Sequence, residues 1–327
     1  MKKILTTITA CLLVLFSFSA CKKSELTTIR LNEVTHSIFY APLYLAINLG
    51  YMEEEKLEIE LTNGGGSDVS MAALLSNSAD ISLLGPETLV YVVKEGSTNH
   101  PMVFGQLTKR DGSFLIGRTD TEFNWLDLAN THILGGREGG MPAMTLEYVL
   151  NSKGLTDGVN MTFDTSIKFD LITPTFEGGT GDYCTMFEPV ASTYVSEGKG
   201  YYMASVGEEC GEVPFTCFMA NSSYMKENPE VIKGFLRAVT KAYNYMLTHS
   251  AKEIATALLP SFEGTSIESI ESAVAKYIEI DAWSSTPAMT QSAFNRLIDI
   301  IETAGIDVSG VKFSDMVDNS YALSLQS

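Results

Sequence analysis

The sequence predicts an α/β fold built from two similar units, and three observations carry the prediction. Short apolar runs alternate with segments of helical period along most of the chain, the pattern of strands and helices in turn. That alternation is interrupted at residues 113–117, restarts as a second unit near Ile133, and returns after residue 206. A glycine-rich turn stands between a strand and a helix in each unit, Gly64-Gly65-Gly66 in the first and Gly135-Gly136-Arg137-Glu138-Gly139-Gly140-Met141 in the second. The 327 residues are about two domains' worth of chain, and 45% apolar content with 10% aromatic is ample for packed cores.

Met1-Lys2-Lys3 is a basic start, residues 4–20 are mostly apolar, and small residues precede Cys21, so residues 1–20 read as an export signal. Ser19-Ala20-Cys21 resembles the lipobox of bacterial lipoproteins, in which the cysteine thiol carries diacylglycerol and becomes the first mature residue. Residues 21–26 would then be a lipid-anchored tether, and residues 22–26 reach only about 17 Å when extended.

Ile29-Arg30-Leu31-Asn32-Glu33-Val34 alternates as a strand, and a helix follows from about Pro42 with Leu45, Leu49 and Met52 on one face. Residues 57–62 form the next strand, and the run 64–68 opens a helix through about Asn77. Residues 79–84 are a third strand, and Gly85-Pro86-Glu87 opens a third helix, with Pro86 suited to its first turn. Residues 102–107 and 113–117 are strand-like on either side of the turn Lys109-Arg110-Asp111-Gly112. The second unit continues with a helix at 142–152, strands near 159–163 and 183–187, and helices near 169–176 and 190–196. Residues 201–205 and 215–220 read as a return to the first sheet, and both sheets are expected to be largely parallel. Asn228-Pro229 supplies an N-cap and a first-turn proline for a stripe of Ile232, Phe235, Leu236, Val239, Tyr243 and Met246. Ser250-Ala251-Lys252-Glu253 and Thr265-Ser266-Ile267-Glu268 each fit a capping box. Thr286-Pro287 is expected to start the last long helix, with Phe294, Leu297, Ile298 and Ile301 in the core.

Lys and Arg total 22 against 40 Asp and Glu, a formal charge of -18, which excludes nucleic acid as a partner. Beyond residue 20 nothing approaches the roughly 18 apolar residues of a spanning helix, which excludes a polytopic membrane protein. Removing residues 1–20 leaves 20 basic against 40 acidic residues, so a mature chain at -20 should stand off anionic headgroups on its lipid. Once Cys11 is removed and Cys21 acylated, Cys184, Cys210 and Cys217 remain. An odd number argues against a disulfide framework, although Cys210 and Cys217 are open to pairing or to staying reduced. No cysteine or histidine spacing suggests zinc, and His36, His100, His132 and His249 are scattered.

The segment Thr35-His36-Ser37-Ile38-Phe39-Tyr40-Ala41-Pro42-Leu43-Tyr44-Leu45-Ala46, then Leu49-Gly50-Tyr51-Met52 and Leu57-Glu58-Ile59-Glu60-Leu61, resembles the opening of the NMT1/THI5-like and sulfonate/nitrate-binding families. Ala79-Asp80-Ile81 is similar to the strand that follows in those families, and Leu126-Asp127-Leu128 to the start of their second lobe. The resemblance covers about residues 29–300. It implies a type II periplasmic-binding-protein fold, two α/β lobes joined by two crossovers, with residues 27–117 and 207–327 in the first lobe and 118–206 in the second. It implies further a solute-binding lipoprotein, held outside a bacterial membrane, that delivers a small molecule to the permease and ATPase subunits of an ABC importer, without a cofactor.

Ligands of open α/β sheets sit at the carboxyl ends of strands, where helix N-termini present free N–H groups. The candidate ligand residues are therefore His36, Ser37, Phe39 and Tyr40 in the first loop, Gly65 and Gly66, then Gly85, Pro86 and Glu87, and Arg137, Gly139, Gly140 and Met141. Glu188 in Phe187-Glu188-Pro189 matches the position of an acid that pyrimidine-handling relatives use. An aromatic stack with acids beside it suits an aminopyrimidine, the thiamine-precursor type, whereas sulfonate or nitrate calls for N–H donors and cations with no carboxylate alongside. Fungal pyrimidine synthases share the fold and are enzymes, but their resemblance rests on a Cys-Cys-Cys-Phe-Cys motif where this chain reads Pro214-Phe215-Thr216-Cys217-Phe218. A lone His36 without a base or nucleophile motif is no catalytic signature either.

Overall fold

The computed structural model describes residues 26–96 and 99–325; the export signal, Cys21 and most of the tether lie outside the described residues. Along the chain, strand β1 (Thr27–Glu33) leads through the first loop into helix α1 (Ala41–Asn48), followed by β2 (Leu57–Asn63), α2 (Ser67–Leu75), β3 (Ile81–Leu84), α3 (Glu87–Lys94) and β4 (Pro101–Thr108). A four-residue crossover then enters β5 (Ser113–Gly117), after which come β6 (His132–Leu134), α4 (Met141–Ser152), β7 (Thr162–Asp164), β8 (Tyr183–Phe187), α5 (Val190–Ser196) and β9 (Tyr201–Ser205). The second crossover returns to β10 (Thr216–Asn221), and the chain finishes with α6 (Pro229–Thr248), α7 (Ala251–Leu258), α8 (Ile267–Glu279), α9 (Gln291–Thr303) and short turns.

Two five-stranded sheets result, ordered β2-β1-β3-β10-β4 and β7-β6-β8-β5-β9. Both are mixed rather than largely parallel. β1 runs parallel to β2 and β3, and β6 parallel to β7 and β8, but β10 and β5 run antiparallel to both neighbours. The reason is connectivity: each of these two strands follows a crossover and enters its sheet from the other lobe, so no strand–helix–strand unit within its own sheet sets it parallel.

That pairing corrects two expectations. Residues 113–117 belong to the second sheet, so the first lobe's opening segment ends before Ser113 rather than after 117, and residues 201–205 pair with β5 instead of returning to the first sheet. The two crossovers run side by side, with the Val213 N–H donating to the Lys109 carbonyl at 2.9 Å and the Arg110 guanidinium to the Gly207 carbonyl at 3.3 Å. A Cβ at Gly207 would stand 2.1 Å from the Asp111 carbonyl oxygen, so only glycine lets the connections meet this closely.

The C-terminal helices show where local signals hold and where they yield. Ser250 caps α7 in a full capping box with Glu253. At α8 the cap is Ser266, whose hydroxyl accepts from the Ser269 N–H, so Thr265 is displaced by one residue and no box forms. Asn228 precedes α6, yet its side chain donates to the Tyr224 carbonyl of the short helix before it and makes no cap for α6. Thr286-Pro287 starts no helix: residues 283–287 lie along the edge of β4, with the Gln106 N–H donating to the Pro287 carbonyl and the Ser284 N–H to Leu107, and α9 begins only after Thr290, whose hydroxyl caps it. Covering an exposed sheet edge competed with helix initiation and won. The expected stripes are otherwise in the core: Ile232, Phe235, Leu236, Val239 and Tyr243 are buried on α6, and Phe294, Leu297 and Ile301 on α9. Cys184, Cys210 and Cys217 are buried free thiols, so the open pairing of Cys210 with Cys217 is not made.

Candidate functional site

Between the lobes lies a cleft of about 1000 Å³. Its floor on the first lobe is the loop after β1. The Ser37 hydroxyl accepts from the Phe39 N–H and starts a single tight turn, Ile38–Tyr40, which turns the aromatic pair inward. Phe39 is held on all sides: its ring meets Phe215 at 5.7 Å and Tyr277 at 5.0 Å, Phe187 from the second lobe at 5.8 Å, and its carbonyl accepts from the Trp283 indole N–H. Tyr40 is buried next to it, and burial, reinforced by Glu33 and Glu87, raises its hydroxyl's pKa so that it stays neutral.

His36 lines the cleft with both ring nitrogens committed. Nδ1 lies 2.9 Å from Glu33 Oε1 and Nε2 2.6 Å from the Ser261 carbonyl oxygen. A carboxylate and a carbonyl both accept, so both nitrogens donate and the ring is an imidazolium. Its pKa is raised, chiefly by the hydrogen bond to Glu33. The second Glu33 oxygen accepts from the buried Tyr44 hydroxyl at 2.5 Å. His36 thus ties the first loop to the residues before α8 and offers the cleft a neutralised pair rather than a free cation.

The expected glycine turns do line the cleft, through Gly65 and Gly66 on the first lobe and Gly136 and Gly140 on the second. Gly65 has φ +76, a conformation that glycine adopts without strain, and the backbone it turns exposes Ser67 and Asp68 at the start of α2. Met141 lines the wall, whereas Gly139 lies just outside it against Tyr91. Arg137 reaches across to the first lobe, 3.6 Å from Asp68. Gly85 also lines the cleft, while Pro86 and Glu87 lie behind it. The Glu87 carboxylate is 1% exposed and folds back over Gly85, where a Cβ would be 2.0 Å from Oε2.

Glu188 is in the wall, but not in the expected manner. Oε1 accepts from the Tyr202 hydroxyl at 2.5 Å and Oε2 from the Ser192 N–H at 3.1 Å, while its own N–H donates to the Tyr277 hydroxyl. Each oxygen of the carboxylate already accepts one hydrogen bond that holds the first turn of α5 and β9 together, so a ligand would meet an acid that is partly satisfied within the second lobe. Several lining residues had no sequence signal. Phe262, Glu263 and Thr265 come from the connection between α7 and α8, over 200 residues from the first loop, and Lys168 and Phe169 from the loop after β7. Phe187 and Phe215 stood inside quoted motifs, next to residues singled out for other reasons. Among the described residues no group of three or more His, Cys, Asp or Glu side chains is placed to hold a metal ion, and no helix is long and apolar enough to cross a membrane.

A cleft between two mixed α/β sheets, with the first loop supplying an aromatic floor, agrees with the comparisons. The family model described as NMT1/THI5 like matches residues 38–253. The chain belongs to the NMT1/THI5-like family. A protein of Bacillus subtilis (strain 168) named as a binding protein, YtlA, is 39% identical over 310 residues, 94% of this chain and 93% of its own. Among solved structures, the ligand-binding component of an ABC-type import system from Staphylococcus aureus, with zinc bound, superposes with a TM-score of 0.73 at 14% identity, covering 91% of this chain and 98% of that one. The alkanesulfonate-binding protein SsuA from Xanthomonas axonopodis pv. citri, bound to MOPS, gives 0.68 at 15% identity, covering 86% and 94%. At such identities these two show the fold, which is that of the periplasmic binding proteins.

Proposed function

We propose that this NMT1/THI5-like chain is the exported solute-binding component of an ABC importer and that its solute is a planar, neutral or cationic nitrogen heterocycle of the aminopyrimidine class. The observation that carries the reading is the make-up of the cleft. Phe39, Tyr40, Phe187 and Phe215 line it from both lobes, and of its cations His36 and Arg137 each face a carboxylate already. A site of about 1000 Å³ stands at the upper end of the usual range for small-molecule pockets, so a substituted ring suits it better than nitrate. The solute is bound and released unchanged: the single Cys217 lies buried in β10, and His36 has no free nitrogen with which to move a proton.

One observation favours the oxyanion reading. Arg137 and the exposed Lys168 stand on the second lobe's side of the cleft, and the chain is similar in fold to an alkanesulfonate-binding protein. Calorimetric titration of the soluble body with 4-amino-5-hydroxymethyl-2-methylpyrimidine, methanesulfonate and nitrate separates the two. A pyrimidine Kd at least tenfold below either anion's is expected. The reverse ranking moves the solute class to oxyanions and leaves the transport role in place.

Anchoring belongs to the same proposal: the permease and ATPase partners lie at the membrane, and Ser19-Ala20-Cys21 is the lipobox-like sequence that would hold the chain there. Cys21→Ser is expected to abolish incorporation of labelled fatty acid. Undiminished labelling in that variant would show that Cys21 is not the anchor.

A further inference from the structure

The glycine turn before α4 and the start of that helix resemble an anion site, with Arg137 nearby and the first-turn amides unsatisfied within the helix, as they are at any helix N-terminus. Gly140, at the N-cap, makes no side-chain hydrogen bond to them. What faces this helix start from the other lobe is Glu87, in the first turn of α3. Its carboxylate is buried, and the Met141 backbone amide, the Ser67 hydroxyl and the Arg137 guanidinium all act on it. None of them completes a hydrogen bond, so both carboxylate oxygens are buried without a partner among the described residues. Burial pushes its pKa up to about 7, while its own backbone N–H, then Arg137, Ser67 and Met141, pull it back down.

An unpartnered buried carboxylate is costly, and a fold keeps one where it has something to do. We propose that Glu87, just behind the cleft lining at Gly85, is the site's built-in anion: it faces the α4 N-terminus that would otherwise draw a ligand's sulfonate, nitrate or carboxylate, and so makes the site select N–H donors or cations and reject oxyanions. The inference rests on the cleft being the solute site. It differs from the earlier expectation for Glu188, whose oxygens are engaged within the second lobe. The chemistry is that of like-charge exclusion in a desolvated space, where a carboxylate close to an arriving anion lowers affinity more than one in water. Glu87 belongs to the first lobe and Met141 to the second, so the exclusion strengthens as the lobes approach.

The test is titration of methanesulfonate at pH 8, where the Glu87 carboxylate is ionised, into the unmodified protein, Glu87→Gln, and Glu188→Gln as a control. Glu87→Gln keeps shape while removing the charge, and Glu87→Met is a second, apolar replacement should the amide disturb folding. At least tenfold tighter methanesulfonate binding in a Glu87 variant, absent in the Glu188 control, is the expected result. A smaller gain, an equal gain in the control, or no detectable binding to any of the proteins overturns the inference. The pyrimidine titration described above is independent of this outcome: a pyrimidine that fails to bind the unmodified protein sinks the heterocycle reading, while an anion gain in Glu87→Gln still upholds the role of Glu87.

Discussion

Glu87 and His36 are opposite cases of an ionisable side chain beside the cleft. His36 is a cation with two acceptors and sits in a complete network, whereas Glu87 has no completed hydrogen bond among the described residues. Both carry raised pKa values, and both shift stability with pH in the same direction. For Glu87 the folded value of about 7 lies above the ordinary 4.5, so between those limits the native state keeps a proton that the unfolded chain has released. Stability therefore falls as pH rises through that window. For His36 the raised value means that its contribution is full below 6.5 and is lost as pH rises through the folded value. Asp111, also buried and pushed up to about 7, adds a loss of the same sign as Glu87. Denaturant melts at pH 5 and pH 8 should accordingly show the protein less stable at pH 8. In Glu87→Gln that difference should shrink by on the order of 1–3 kcal/mol; an unchanged difference would mean that Glu87 titrates normally in the native state.

At the level of helices and strands, caps are the clearest case of a local rule meeting its surroundings. The sequence Thr265-Ser266-Ile267-Glu268 offers two hydroxyls to one helix, and α8 uses the second. Ser266→Ala should therefore cost about 1 kcal/mol and Thr265→Ala only a few tenths, read from chemical denaturation. Equal costs would place the helix start where the pattern alone put it. The same logic explains residues 283–287: Thr286-Pro287 is a sound helix start by composition, but the open edge of β4 takes those backbone groups first. Strands β5 and β10 are a parallel case. Their apolar runs were legible, but which sheet each joins depends on the crossover that precedes it.

The two lobes touch at several places, among them Arg137 with Asp68, Phe39 with Phe187, the Glu188 N–H with the Tyr277 hydroxyl, and the Arg296 guanidinium with the Tyr148 hydroxyl. The connections that would have to bend are short and lie together at Lys109–Val213. A hinge of this kind lets the lobes rotate with little change in either core, and a ligand touching both favours the closed form. Small-angle scattering of the soluble body should show a smaller radius of gyration with a bound solute than without it. Superimposable profiles at saturation would indicate a fixed cleft.

Much of this was legible in the chain itself, because it rests on short-range chemistry. Period and turn residues located most strands and helices, the glycine turns at 64–66 and 135–140 marked helix starts that do line the cleft, and the first loop's aromatic pair proved to be its floor. What the folded arrangement alone decided are the matters that depend on distant neighbours. The pairing of His36 with Ser261 joins residues 225 apart, the side chains at 262–265 reach the cleft from the far end of the chain, and Glu188 is engaged by Tyr202 rather than left open. A carboxylate has the same local sequence signature whether or not a hydroxyl and an amide reach it. Only the approach of the α4 N-terminus to the first turn of α3 and the pairing of β9 beside β5 leave Glu87 without a completed hydrogen bond and give Glu188 two, because hydrogen-bond partnership is a property of space and not of sequence position.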